Sequence, residues 1–194
     1  MSFIPLTDVG VATGALATAY EDARRSFGFV PDAVRAFSPR PEVASVMSAM
    51  RRVVLGDAST IGKRRADLIG TAVSGINHCE YCGTAHAGLL AQRGDLDMDQ
   101  AVMVYKNWRK AGLDPADEAM LSFAEDLTLT PNSITEDHIR SLRSHGFDDV
   151  NIFDIVLLTA YRNFMNRIND GLGISTELLN DRFGDDLVEA IGSV

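Results

Sequence analysis

The stretch Asp149 to Asn169, DVNIFDIVLLTAYRNFMNRIN, decides the fold class. Within it Ile152, Ile155, Val156, Thr159, Ala160, Asn163, Phe164 and Arg167 recur at three- and four-residue spacing, the period of one buried face on an α-helix. The pattern predicts one helix from about Asp149 to Asn169, ended by Asp170-Gly171. Upstream, Ser133-Ile134-Thr135-Glu136 reads as a capping box for a helix closing at His145-Gly146, and Asp114-Pro115 opens another that ends near Thr130-Pro131. Asp97 or Asp99 starts a segment with Ala101, Val102, Tyr105 and Trp108 that stops at Gly112. Asn77 reads as the N-cap of a helix running through Cys79, Cys82, His86, Leu89 and Leu90 to Gly94, after a helix over roughly Lys63 to Gly75. Nearer the N-terminus, Leu16, Ala17, Tyr20, Ala23 and Phe27 share a helical face, and Pro41 opens a segment that Gly56-Asp57 ends near Leu55. A short helix is expected from about Thr176. Period-two strands bounded by turn dipeptides, fixed-period repeats and low-complexity tracts are all missing, so the expected fold is an all-α helical bundle.

A chain of 194 residues, 46% apolar and 23% charged, can bury one core. We expect a single domain over residues 1–194, with an N-terminal extension to about 55, a Cys-bearing core to about 130 and C-terminal helices beyond. The net charge of −9 argues against nucleic acid as a partner, since phosphate binding needs a basic surplus. The short basic clusters, Arg51-Arg52 and Lys63-Arg64-Arg65, read as solvated helix faces. No apolar run is long enough to span a membrane and MSFIPLTDVG lacks signal-peptide character, so the expected location is cytoplasmic. Two cysteines in a reducing compartment point to redox or metal chemistry, not to a permanent staple.

At roughly 100° per residue, Cys79, Cys82 and His86 fall within an arc of about 60° on one helical face. Near the start of that helix, free N–H groups and the helix dipole favour a thiolate at Cys79, and His86 is placed to hydrogen-bond Cys82. The spacing suits a cycle in which one thiolate attacks a peroxide, becomes a sulfenic acid and is resolved by its neighbour. A His connected to a carboxylate could supply the proton, and Asp67 lies twelve residues before Cys79. A break at Gly75 to Asn77 would let the two segments fold together.

The segment from Asp67 to His86 resembles the core motif of the alkylhydroperoxidase D and carboxymuconolactone decarboxylase superfamily, an acidic residue preceding Cys-x-x-Cys-x-x-x-His. Ile4-Pro5-Leu6, Gly28-Phe29-Val30-Pro31, Ser38-Pro39-Arg40-Pro41-Glu42 and Asn166-Arg167-Ile168 resemble its peroxidase-related branch. The resemblance implies a thiol-dependent hydroperoxide reductase with no cofactor. In it Cys82 attacks the peroxide, Cys79 resolves, and His86 with Asp67 relays the proton. It also implies an external thiol electron donor and a homo-oligomer, a trimer or hexamer. Two features depart from the family: Asp67 stands where Glu is usual, one methylene shorter with a reach that admits a bridging water, and Tyr81 precedes the second cysteine where alkylhydroperoxidase D has His.

Other readings stay open. Cys79, Cys82, His86 and His78 supply zinc-ligand chemistry, as in a metal-binding or structural oligomer, and the same fold could act on a lactone or other carbonyl compound. His78, His138 and His145 are expected in solvent with no role. Met47, Met50, Met103, Met120 and Met165 read as core, and Tyr105 and Trp108 as core or subunit contact.

Overall fold

A computed structural model describes residues 2–56 and 59–193. Asp57, half of the expected Gly56-Asp57 stop, lies outside these residues. Among the described residues the regular structure is helical, with no strand: α1 Gly14–Phe27, α2 Asp32–Arg35, α3 Pro41–Leu55, α4 Gly62–Ile76, α5 Glu80–Arg93, α6 Met98–Asn107, α7 Pro115–Leu129, α8 Glu136–Ser144, α9 Asp149–Gly171, α10 Glu177–Phe183 and α11 Asp185–Gly192. The all-α expectation holds.

The bundle is organised around α4. From Ala66 to Ser74 every residue of α4 is buried, and the helix packs against α5, α6, α7 and α9. Gly75 permits one of these approaches, since a Cβ there would overlap the Tyr105 carbonyl oxygen of α6. The main core includes Leu68, Ile69, Leu90, Met120, Leu121 and Ile155, while Leu16, Tyr20 and Ala23 of α1 form a second cluster with Ala44 of α3. Tyr105 and Trp108 belong to the main core, the Trp108 indole N–H donating to Glu125 at 2.8 Å.

Local chemistry sets most helix ends. Asp97, Asp114 and Asp148 accept from backbone N–H groups three residues on, and Asp97 and Asp148 complete reciprocal boxes with Gln100 and Asn151. Two expectations shift and one short helix is new. The α8 box uses Thr135 and His138, because Ser133 sits in a tight turn and its hydroxyl donates back to Thr130. The terminal helix is two helices, broken at Gly184, whose φ of 89° few other residues tolerate. The single turn α2, after Pro31, has too few residues for a readable period.

The basic clusters are less solvated than expected. Arg64 and Arg65 both clamp the fully buried carboxylate of Asp117, the second at 2.8 Å. Arg51 is half-buried, with its guanidinium 4.9 Å over the Phe27 ring. No described helix is long and apolar enough to cross a membrane.

Candidate active site

The site forms at the corner between α4 and α5. Asn77 caps the C-terminus of α4 instead of opening α5: its backbone N–H donates to Val73, and its side-chain amide donates to Asn163 and Asn166 of α9 at 3.0 and 2.9 Å. His78 takes φ +57°, and the His78 and Cys79 N–H groups donate back to Gly75 and Ser74, a Schellman turn. His78 itself is exposed. The turn makes Cys79 the N-cap residue of α5 and places Cys82 three residues inside it. The helix N-terminus acts on Cys79 as its position suggests, the Cys82 backbone N–H working to lower that thiol, but stronger influences oppose it.

Side-chain hydrogen bonds and burial decide between the two sulfurs. Cys79 is fully buried, and its thiol is pushed up above the usual range. The largest cause is that it donates to the Cys82 sulfur; burial and the nearby Cys82 charge add to it, and a hydrogen bond to Asp170 also holds its proton. Cys82 is pulled down, first by that hydrogen bond from Cys79, which outweighs burial together with donation from Asn169 and Asn166 and the Arg162 charge. The Asn169 amide lies 3.0 Å from Cys82 Sγ. The proton of the pair sits on Cys79, and the thiolate character sits on Cys82.

His86 does not supply the hydrogen bond to Cys82 that its spacing suggests. Its Nδ1 faces Asp67 Oδ1 at 2.7 Å, in direct contact, so the shorter Asp side chain needs no bridging water. Gly70, one turn after Asp67, makes room for the ring, since a Cβ there would lie 2.7 Å from two His86 ring carbons. Asp67 Oδ2 accepts from Arg93 at 2.8 Å. Burial works to raise the Asp67 carboxyl, but the His86 hydrogen bond and the charges of His86, Arg162 and Arg93 hold it below the usual carboxylate range. Burial first, then the Arg162 charge, push His86 down against the pull of Asp67, so the imidazole is neutral at neutral pH with Nε2 left for proton transfer.

Cys82, Asp67 and His86 all line one cavity of about 710 Å³. Its walls combine aromatic and aliphatic side chains such as Phe27, Phe37 and Met165 with Arg162, Asn166 and Asn169 of α9. Among the described residues, no group of three or more His, Cys, Asp or Glu side chains is arranged to hold a metal ion.

Sequence reasoning did not single out Arg162, Arg93 and Asn169 as site residues. The signal for two of them lies in the opening stretch: Thr159, Arg162, Asn166 and Asn169 form a polar stripe at helical spacing, and all four are buried. A buried polar stripe on a core helix has to face partners or a site.

Comparison with known proteins adds to this geometry. No family model matches the sequence. The chain is 27% identical over 134 residues to the uncharacterized protein YdfG of Bacillus subtilis, spanning 69% of this chain and 88% of that one. It is 28% identical over 93 residues to an alkyl hydroperoxide reductase of Mycobacterium tuberculosis, spanning 47% of this chain but only 26% of that relative. Among solved structures, an uncharacterized peroxidase-related protein of Silicibacter sp. superimposes with a TM-score of 0.80 at 28% identity, over 94% of this chain and 95% of that one. The alkylhydroperoxidase AhpD core of a Ralstonia eutropha peroxidase-related protein gives 0.84 at 24% identity, over 98% and 96%. The debrominase Bmp8, solved with 2,3,4-tribromopyrrole, gives 0.78 at 17% identity over 96% and 100%, a likeness of fold alone that shows the architecture serving another activity. The solved structures that this chain superimposes on at a TM-score of 0.80 or above are peroxidase-related proteins, one of them an alkylhydroperoxidase D-like core.

Proposed function

We propose that the protein is a thiol-dependent hydroperoxide reductase with an antioxidant role. The observation that carries this reading is the division of labour between the sulfurs: Cys82, the lowered one, lines the cavity, and Cys79 stands behind it with its S–H directed at Cys82. The Cys82 thiolate attacks the distal oxygen of a hydroperoxide, the O–O bond breaks, and an alkoxide leaves from a sulfenic acid. His86, oriented by Asp67, takes a proton from solvent in the cavity on its free Nε2 and passes it to the leaving alkoxide, which becomes the alcohol as the imidazole returns to neutral. Cys79 then attacks the sulfenic sulfur, its proton leaves with the hydroxide as water, and a Cys79–Cys82 disulfide results. A dithiol donor, as a reducing cytoplasm would supply, returns the pair to its starting state. The exposed apolar side chains of Val46 and Val53 on α3 and Val150 and Phe153 on α9 fit the homo-oligomer that the family resemblance implies.

Steady-state consumption of cumene hydroperoxide with a dithiol reductant tests the assignment. Cys82→Ser should abolish turnover, and Cys79→Ser should leave one sulfenic acid per chain, trapped by dimedone. Turnover that persists in Cys82→Ser sinks the thiol mechanism and favours carbonyl chemistry on the same fold.

A further inference from the structure

Two residues lining the cavity carry guanidinium nitrogens that the cysteine chemistry leaves without hydrogen-bond partners. Arg93 is engaged by Asp67. Arg162 acts on Asp67, Cys82 and His86 through its charge, but it is 5% exposed and its Nε is buried without a hydrogen-bond partner. Arg51, reaching the same cavity from α3, has a buried Nη2 that also lacks a partner. Both belong to the surroundings of one phenol, because Tyr161 lines the cavity and the charges of Arg162 and Arg51 act on its hydroxyl against the burial that raises it.

Two unsatisfied guanidinium nitrogens on one cavity wall are costly unless something occupies them in use. The group that fits a guanidinium fork is an oxyanion, through charge-assisted hydrogen bonds. Other arginines in the lining have partners: Arg93 pairs with Asp67 and Asp95, Arg25 with Glu21 and Arg52 with Asp22, and Arg182 lies over the Phe29 and Phe183 rings. The remaining lining, including Phe27, Phe37, Met47, Leu89 and Met165, is apolar and suits a hydrocarbon body.

Resting on the peroxidase reading, we infer that the substrate is an organic hydroperoxide bearing a carboxylate, which docks at Arg51 and Arg162 beside Tyr161 while the apolar body fills the cavity and the peroxide reaches Cys82. Arg51 and Arg162 are then binding residues that select for the acid over a neutral hydroperoxide.

Two measurements keep this inference separate from the reading beneath it. Calorimetric titration of the reduced wild-type protein with para-isopropylbenzoate and with its methyl ester reads the anion site without any redox step. The acid should bind at least tenfold more tightly than the ester. Arg51→Gln, at a half-buried position, should weaken the acid about tenfold, and Arg51→Lys should recover part of the loss. Equal binding of acid and ester, or acid binding unchanged in Arg51→Gln, overturns the inference. Turnover of cumene hydroperoxide is then compared with that of its para-carboxylate derivative. A kcat/KM at least tenfold higher for the carboxylate, collapsing toward parity in Arg51→Gln, supports both statements. Turnover of both at equal kcat/KM refutes the anion site and keeps the peroxidase. Tight carboxylate binding with no turnover of either keeps the anion site and refutes the peroxidase.

Discussion

Replacing Asn169 with Leu tests what makes Cys82 the reactive sulfur. The substitution removes the amide that donates to Cys82 Sγ at 3.0 Å and roughly conserves volume at a buried position. It also removes an Oδ1 that has no hydrogen-bond partner, so the fold should lose little. A hydrogen bond to a charged acceptor contributes about 1.5–3 kcal/mol, and the lower end applies because Asn166 still donates, as does the side chain at position 79, a hydroxyl in the assay background. About 1.5 kcal/mol is roughly a tenfold drop in thiolate fraction below the titration midpoint. A more basic thiolate is also more nucleophilic, with a Brønsted coefficient near 0.4–0.5, which returns about threefold. The variant should therefore react about threefold more slowly than its parent with a small disulfide such as dithiodipyridine at low pH, and about threefold faster once both are ionised. The assay is the release of thiopyridone across pH on a Cys79→Ser background, so that Cys82 alone reports. Rate–pH profiles that superimpose, or that differ by one constant factor at every pH, refute the reasoning.

Three further outcomes follow from the same geometry. Gly70→Ala puts a Cβ 2.7 Å from the His86 ring and must displace it, so peroxide turnover should fall about 10–100-fold while circular dichroism stays helical. His86 binds its proton less readily folded than unfolded, so its contribution to stability is present above the unfolded value near 6.5 and is lost as pH falls through the lower folded value. The melting temperature should drop between pH 7 and pH 5, and His86→Gln should flatten that drop. Asp117→Ala leaves Arg64 and Arg65 without their buried partner, and should cost about 3 kcal/mol in urea unfolding, the low end for a broken buried pair because both arginines are about a third exposed.

The helices were legible where local chemistry decides them. The period of α9, the Asp97 and Asp114 caps and the glycine stops all act within a few residues, and their signals survive in the sequence. The start of α5 was not legible, because Asn77 is a good cap in isolation and only its bonds to Asn163 and Asn166, some ninety residues on, assign it to the end of α4. The candidate site shows the same limit. Helical spacing brings Cys79, Cys82 and His86 together, and the break after α4 lets Asp67 face His86. Cys79 supplies the largest influence on Cys82 from nearby in the sequence, but Asn169, Asn166 and Arg162 add theirs from across the bundle, and packing alone brings them there. Likewise the periodicity that marks Arg51 and Arg64 as helical surface cannot show which of them turns inward.

The most direct test of the central claim is a free-thiol count by mass spectrometry before and after one equivalent of organic hydroperoxide, on reduced, metal-free wild type and on Cys82→Ser. Loss of two thiols as a Cys79–Cys82 disulfide in the wild type, with Cys79 untouched in the variant, is the expected result. Thiols unchanged by peroxide in the wild type would contradict the account.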